Sequence, residues 1–244
     1  MILGFDLSRA ERKKISAEAL AIAGKIGYDR GKAMALANLG MIEQLQGNTA
    51  QGVKMMNEAE AISDKISDLN LNAFILSRKG ASNNLPKALQ YNLEGEKIAT
   101  QIGNQRLLAI MEMDIGYYYL ITLSDYPKSL EYFLKALIAA EQSDDLAMMI
   151  IIWQSLGGLY ANLGDQEKAL QYFKEASQAN KLLASNAIES NLQNGLGESY
   201  RLNGKYRQAI EAYKLANQLS TRVDIHYTNE GNLADVYTRM DSLP

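Results

Sequence analysis

Few residues of this sequence could carry chemistry. It contains one histidine, His226, and no cysteine, which excludes a thiol nucleophile, a Cys-ligated metal and a multi-histidine metal site. Residues 47–54 resemble a phosphate-binding loop in part, but they lack the Gly-Lys-Ser/Thr ending that such loops need. Asp144 and Asp145 lie where carboxylates commonly cap a helix, and they offer too few oxygen ligands for Ca²⁺. We therefore predict no catalytic residue, no cofactor, no metal site and no enzyme activity.

Charge and composition exclude two further classes of partner. The 244 residues carry a formal net charge of -3, which gives no strong electrostatic attraction to DNA or RNA. The longest apolar run, residues 146–153, is less than half of the roughly 20 residues that span a bilayer. We expect no nucleic-acid or membrane partner. We expect a cytoplasmic location, or a periplasmic one if a longer parent protein is anchored in a membrane.

An internal repeat of about 40 residues supplies the elements that would position any functional residue. Residues 156–170 align with residues 196–210 at an offset of 40. One small residue recurs in every unit, and successive copies are 40, 36, 41, 40 and 40 residues apart. This regularity is typical of proteins built from stacked structural repeats. The recurring small residues are Ala19, Ala59, Gly95, Ala136, Ala176 and Ala216.

Each unit has the pattern of two helices joined by a tight turn. Leu156, Leu159 and Leu163 are spaced at i, i+3 and i+7, as on one face of a helix. A second helical series begins at Ala169. The spacing predicts an all-α solenoid of eleven or twelve helices in antiparallel pairs, without a sheet. Because close helices need small residues between them, we expect Gly157 and Ala169 to face each other.

One unit departs from this pattern. Gly80 occupies the position of Gly157, but Ala88 follows it after 8 residues, whereas Ala169 follows Gly157 after 12. About one helical turn is therefore missing after Gly80. The loss is either a neutral deletion in a loop or a local change of superhelix pitch that reshapes the binding surface.

The repeat resembles the tetratricopeptide repeat, whose pattern is W-x2-L-G-x2-Y followed by Ala, an aromatic residue and Ala. The period exceeds the usual length of about 34 residues. It is similar to a long-helix variant with an Ile-Gly-Asp-like turn, found here at residues 26–29, 66–68 and 102–104. The resemblance implies a largely buried tryptophan in the first helix. The matching residues are Trp153, Leu156, Gly157, Tyr160, Ala169, Phe173 and Ala176.

The whole chain, residues 1–244, is expected to form a single array of about five full repeats with a half repeat at each end. It opens with a second-type helix at about residues 6–25 and closes with a first-type helix at residues 226–240. Because neither helix has its hairpin partner, we expect the sequence to be a piece of a longer repeat protein. The exposed terminal helices also offer a surface for self-association.

The resemblance implies a binding surface on the first helices, which line the concave groove of a tetratricopeptide array. If the glycine of each first helix is position eight, positions two, five, nine and twelve commonly face this groove. The central groove would be apolar, and its C-terminal part would carry amides, which suit hydrogen bonds with a peptide backbone. The apolar stripe fits packing between neighbouring helices equally well. The candidate partner-binding residues are Met41, Ile110, Met113, Tyr117, Ile151, Gln154, Asn191, Asn194, Glu198 and Arg201.

The resemblance further implies a scaffold that binds a protein or peptide segment without catalysis. The alternative is a sensory or regulatory segment of a bacterial histidine kinase, nucleotide cyclase or transcription regulator, where such long repeats occur. A receptor for a signalling peptide is a third interpretation. The clamp that some family members use for a chaperone's C-terminal carboxylate is not expected. It requires Asn directly after the position-eight glycine, where this chain has Met41, Tyr117, Gly158 and Glu198.

Overall fold

The structure, a computed structural model, describes residues 8–81, 85–220 and 223–241. These residues form twelve α-helices joined by short turns and contain no strand, which confirms the predicted all-α solenoid class. The helices are α1 (Arg9–Ile26), α2 (Asp29–Leu45), α3 (Thr49–Ile66), α4 (Leu69–Gly80), α5 (Leu85–Gln101), α6 (Gln105–Ile121), α7 (Tyr126–Gln142), α8 (Leu146–Asn162), α9 (Gln166–Leu183), α10 (Asn186–Leu202), α11 (Tyr206–Leu219) and α12 (Val223–Asp241).

The helices belong to two compact units, an N-terminal unit of residues 7–144 and a C-terminal unit that contains residues 145–244. In the N-terminal unit, α2 pairs with α3, α4 with α5 and α6 with α7, and α1 packs on α2. In the C-terminal unit, α8 pairs with α9 and α10 with α11, and α12 packs on both α10 and α11. We call α2, α4, α6, α8, α10 and α12 the first helices and the others the second helices. Within each unit, successive first helices contact each other.

Short turns with capping side chains separate the helices. Gly164 adopts φ 80 after α8, a left-handed conformation that favours glycine. The side chain of Asp165 then caps α9. At the turn over residues 66–68, Ser67 adopts φ 52 and the side chain of Asp68 caps α4. The turn over residues 66–68 places a helix break where the Ile-Gly-Asp-like pattern predicts one.

Close packing at a glycine holds the α8–α9 hairpin together. A Cβ atom built on Gly157 would lie 3.0 Å from atoms of the Phe173 ring, so this ring packs directly on the backbone of α8. The three atoms nearest to that Cβ position all belong to Phe173, and the predicted contact of Gly157 with Ala169 stays a prediction. Gly116 of α6 meets the ring of Phe133 of α7 in the same way, with a distance of 2.7 Å.

Trp153 is less buried than the repeat pattern predicts. The side chain is half-buried and packs against the core of the C-terminal unit, which includes Phe173 and Leu192. It also lines an open cavity of about 570 Å³ together with Leu182, which is 79% exposed. The indole therefore lies between the core and the surface instead of inside the core.

Helix lengths confirm the irregular unit. α4 has 12 residues, whereas α2, α6, α8 and α10 have 17 each, so the turn missing after Gly80 shortens the first helix. α12 is slightly longer than predicted, and the predicted start of α1 at residue 6 lies outside the described residues. None of the helices in the described ranges is both long and apolar enough to cross a membrane. That the two units form one array stays a prediction.

Replacing Gly157 with leucine should destabilise the α8–α9 hairpin, because the new side chain must displace the Phe173 ring. We expect the free energy of unfolding to fall by about 1–3 kcal/mol in urea denaturation followed by circular dichroism. The matched control is Gly158→Leu, where a Cβ atom meets nothing within 4 Å. Equal denaturation midpoints for the two variants would contradict this packing.

Candidate partner-binding site

The predicted partner-binding residues form two groups on the first helices. In α2, α6, α8 and α10 the glycine and the residue before it are buried, whereas the candidate residues are half-buried. We define the N-terminal face as the half-buried side chains Met41 of α2, Phe74 of α4, and Ile110, Met113 and Tyr117 of α6. The C-terminal face consists of Ile151 and Gln154 of α8 and of Asn191, Asn194, Glu198 and Arg201 of α10.

The N-terminal face is apolar, and part of it takes part in packing. Met41 packs on the core between α2 and α4, and Ile110 packs on a second core cluster between α4 and α6. The ring of Tyr117 meets that of Phe133 edge to face, with centroids 5.1 Å apart, a favourable geometry for aromatic pairs. Met113 is likewise half-buried. These side chains therefore support the fold and still expose apolar surface.

The sequence analysis missed two residues of this region, Phe74 and Arg78 of α4. The guanidinium carbon of Arg78 lies 4.7 Å from the centre of the Phe74 ring, and its Nη1 lies 3.9 Å from Sδ of Met41. Its Nε is shielded from solvent and has no hydrogen-bond partner in the part of the chain that the structure describes. Counted from Gly80, Phe74 and Arg78 occupy positions two and six. This i, i+4 spacing of an aromatic residue and an arginine could have identified the pair.

Asp114 of α6 is the acidic residue whose charge acts on Arg78. Burial raises the pKa of Asp114 to about 7, while the positive charge of Arg78 acts in the opposite direction. Burial also lowers the pKa of Arg78. The negative charge of Asp114 raises this pKa, and the positive charge of Arg106 lowers it. Near neutral pH Asp114 is therefore only partly ionised, and it compensates the charge of Arg78 incompletely.

Glu112 of α6 is a second carboxyl with a raised pKa. It is buried, and its Oε2 has no hydrogen-bond partner among the described residues. Burial and then the negative charge of Glu96 raise its pKa to about 7, and the positive charge of Lys135 opposes them. The neutral form, which is easier to bury than the anion, therefore persists up to nearly neutral pH.

The charged residues of the C-terminal face are paired with each other and with α12. Arg201 donates from Nε and Nη2 to the carboxylate of Glu198 at 2.9 and 2.6 Å, and from Nη1 to Oδ2 of Asp235 at 2.8 Å. Glu198 also accepts a hydrogen bond of 2.9 Å from the hydroxyl of Tyr213. The hydrogen bond from Arg201 is the main cause that lowers the pKa of Glu198. A ligand would have to break these pairs before it could bind either side chain.

The amide side chains of the C-terminal face differ in their availability. Asn194 donates a hydrogen bond to Oδ1 of Asn229, which in turn donates to Oδ1 of Asn217 at 2.7 Å. This chain of amides connects α10 with α12 and α11. Gln154 and Asn191 make no side-chain hydrogen bond within the described residues. These two amides are therefore better placed than Asn194 to contact a ligand.

Two residues considered as candidates for chemistry have structural roles. Nε2 of His226 lies 2.9 Å from the backbone oxygen of Ser220, next to the start of α12. Asp145 caps α8 by accepting a hydrogen bond from the backbone of Met148. Within the described ranges, no group of three or more His, Asp and Glu side chains is placed to hold a metal ion.

Comparison of the sequence with protein families identifies the repeats. Two family models, each of the tetratricopeptide repeat, match residues 107–182 and 190–221. The first match covers most of α6 through α9, and the second covers most of α10 and all of α11. No curated protein sequence gives a significant match.

Several solved structures share the fold at low sequence identity. BtubC (BKLC) from P. vanneervenii has a TM-score of 0.72 and 17% identity, over 88% of this chain and 91% of that protein. PH0952 from Pyrococcus horikoshii has a TM-score of 0.68 and 19% identity, over 85% of this chain and 33% of that protein. It is a Signal Transduction ATPase with Numerous Domains that has a tetratricopeptide repeat sensor. NprR, in complex with its cognate peptide NprX, has a TM-score of 0.66 and 15% identity, over 96% of this chain and 74% of that protein.

Glu112 should make the stability of the protein depend on pH. Because its pKa when folded, about 7, exceeds the ordinary value of 4.5, its contribution to stability is complete below pH 4.5 and is lost as the pH rises past 7. Glu112→Gln should therefore raise the free energy of unfolding at pH 8.5 by about 1–3 kcal/mol and change it little at pH 5. Urea denaturation at both pH values measures this. The control is Glu94→Gln on the exposed side of α5, and an effect of Glu112→Gln that is the same at both pH values would contradict the assignment.

Asn194→Ala should loosen α12, because it leaves the buried Asn229 without its hydrogen-bond donor. We expect a loss of about 1 kcal/mol, the usual net value of one neutral hydrogen bond. Hydrogen–deuterium exchange of residues 223–241 should become faster. Asn191→Ala removes a neighbouring amide that has no such bond and should leave the exchange unchanged. Equal acceleration by both variants would contradict a structural role specific to Asn194.

Proposed function

Because the chain is a tetratricopeptide-repeat protein, we propose that it is a non-catalytic scaffold whose N-terminal face binds a segment of a partner protein. Such repeats serve as protein-interaction modules. The observation that carries the assignment to this face is the row of half-buried apolar side chains on three successive first helices, α2, α4 and α6. A partner segment on this row would contact all three repeats of the N-terminal unit.

The residue types of the N-terminal face suit recognition of an apolar segment. Met41 and Met113 are unbranched and polarisable, so they adapt to side chains of different shape. Tyr117 presents a rigid ring that loses little conformational entropy on binding. Apolar anchors in the centre of an interface commonly supply most of its affinity. The bound segment would therefore place apolar side chains against α6.

The C-terminal face is the weaker candidate because its polar groups already have partners. Arg201 and Glu198 compensate each other, and Asn194 is bonded to α12. Gln154 and Asn191 remain available and can hydrogen-bond to a peptide backbone. We propose that the C-terminal face makes secondary contacts and that its charged pairs maintain the position of α12 on α10.

A second candidate function is a sensory segment of a signalling protein that responds to a peptide. Two of the similar structures favour it, a signal-transduction ATPase with a tetratricopeptide repeat sensor and NprR in complex with its cognate peptide. In this case the bound segment would be a short free peptide instead of part of a folded partner. If the isolated segment of a captured partner binds as tightly as the intact partner does, the peptide receptor is favoured.

Truncation of one apolar side chain on each side of the α6–α7 hairpin tests the site. After affinity capture with the full chain identifies a partner, Met113→Ala should weaken its binding by about 1–3 kcal/mol in isothermal titration calorimetry, as expected for a central apolar anchor. The matched control is Ile138→Ala on the second helix α7, where the side chain is 56% exposed. If Ile138→Ala abolished binding and Met113→Ala did not, the site would lie on the second helices.

A further inference from the structure

Arg78 is a cation in surroundings that compensate its charge poorly. The described part of the chain provides no ion pair for it, and its buried Nε donates to no acceptor. The face of Phe74, at 4.7 Å, offers a cation–π contact, and the sulfur of Met41 is only a weak acceptor. Removing a charge from water without pairing it is destabilising. The unbound protein therefore holds a guanidinium that would gain stability from an added anion.

The neighbours of Arg78 place it among the residues of the N-terminal face. Phe74 and Met41, which flank the guanidinium, belong to α4 and α2 and are themselves half-buried members of that face. A segment that lies across α2, α4 and α6 would pass next to Arg78. A guanidinium matches a carboxylate in shape and charge, since its planar array of N–H donors can bond both oxygens.

We propose that Arg78 binds a carboxylate of the partner segment, so that the N-terminal face selects segments with an acidic group beside apolar anchors. This inference rests on the proposed function. It differs from the chaperone clamp described above, because it uses one arginine between an aromatic ring and a methionine. An acidic side chain and a free C-terminus both supply the carboxylate, and the experiment below distinguishes them.

Asp114 competes with the incoming carboxylate. Asp114 and Arg106 are the two residues whose charges act on Arg78, and Arg78 is the residue whose charge acts on Asp114. As the pH rises from 6 to 8, Asp114 ionises and its negative charge opposes a second anion at Arg78. The carboxylate of the ligand stays ionised throughout this range. The affinity for a carboxylate should therefore fall as the pH rises, and Asp114 should be the cause.

Nuclear magnetic resonance of the Arg78 Nε–H group in the full chain tests the proposal directly, with the signal assigned through Arg78→Gln. Three probes are titrated separately: N-acetylglutamic acid α-amide, N-acetylalanine and the neutral N-acetylglutamine α-amide. We expect a saturable shift with a carboxylate probe and none with the neutral one. A response to the first identifies a side-chain carboxylate, and a response to the second identifies a C-terminal one. No shift with either carboxylate, or an equal shift with the neutral probe, would overturn the proposal.

The pH dependence of the affinity for the probe separates a binding role of Arg78 from a purely structural role. The affinity for the responding probe should fall about three- to tenfold between pH 6 and pH 8, and Asp114→Asn should remove this fall. Arg207→Gln, which changes an exposed arginine of α11, is the matched control and should keep both the shift and its pH dependence. A constant affinity in the unmodified chain would overturn the competition by Asp114.

The captured partner distinguishes failure of this inference from failure of the proposed function. Arg78→Gln should weaken partner binding at least tenfold, and circular dichroism should show an unchanged helix content. If Met113→Ala weakens binding and Arg78→Gln does not, the proposed function stands and the carboxylate inference fails. If neither variant changes binding, both fail.

Discussion

The close approach of first and second helices across a glycine is the constraint on which the rest of this structure depends. A Cβ atom on Gly116, Gly157 or Gly197 would lie 2.7, 3.0 or 2.7 Å from the ring of the facing helix. Because these rings lie against backbone, α6, α8 and α10 each turn the side that carries the glycine toward the second helix, and that glycine is buried. Residues on the opposite side of these helices, where successive first helices contact each other, stay half-buried. The candidate binding surface is therefore a consequence of how the hairpin closes.

The α4–α5 hairpin closes without such a ring, as does the α2–α3 hairpin, where Gly40 faces Gly52 and Met56. The space next to Gly80 is occupied by the amide of Asn92, whose Oδ1 has no hydrogen-bond partner among the described residues, instead of by an aromatic ring. The helix that carries Gly80 is also one turn shorter than its counterparts. Arg78 lies on the same short helix. Departures from local packing rules commonly coincide with function, and here the departure adjoins a cation without an ion pair among the described residues.

The sequence predicts the helices and the hairpins, because these follow from periodicity and small residues, and the position of the binding residues stays a prediction. It predicts less about what each side chain contacts. Asn194 lies on the expected helix, but its amide is bonded to Asn229, 35 residues away, which no spacing reveals. Arg78 was missed because it occupies position six of its helix, which is not among the positions that commonly face the groove. The partial exposure of Trp153 depends on its surroundings in the folded protein, which a single-repeat pattern does not contain.

Arg201 and Arg78, the arginines beside the two faces, differ in how their charges are compensated, and this difference is the reason we expect a ligand to gain more beside Arg78. In the C-terminal unit, Arg201 bonds both Glu198 and Asp235, and Arg239 bonds Asp235 as well. A ligand would exchange existing ion pairs for new ones there, with little net gain. In the N-terminal unit, Arg78 lacks an ion pair in the described residues, so a ligand carboxylate would add a pair without breaking one. The same incomplete satisfaction that weakens the unbound fold therefore favours binding at the N-terminal face.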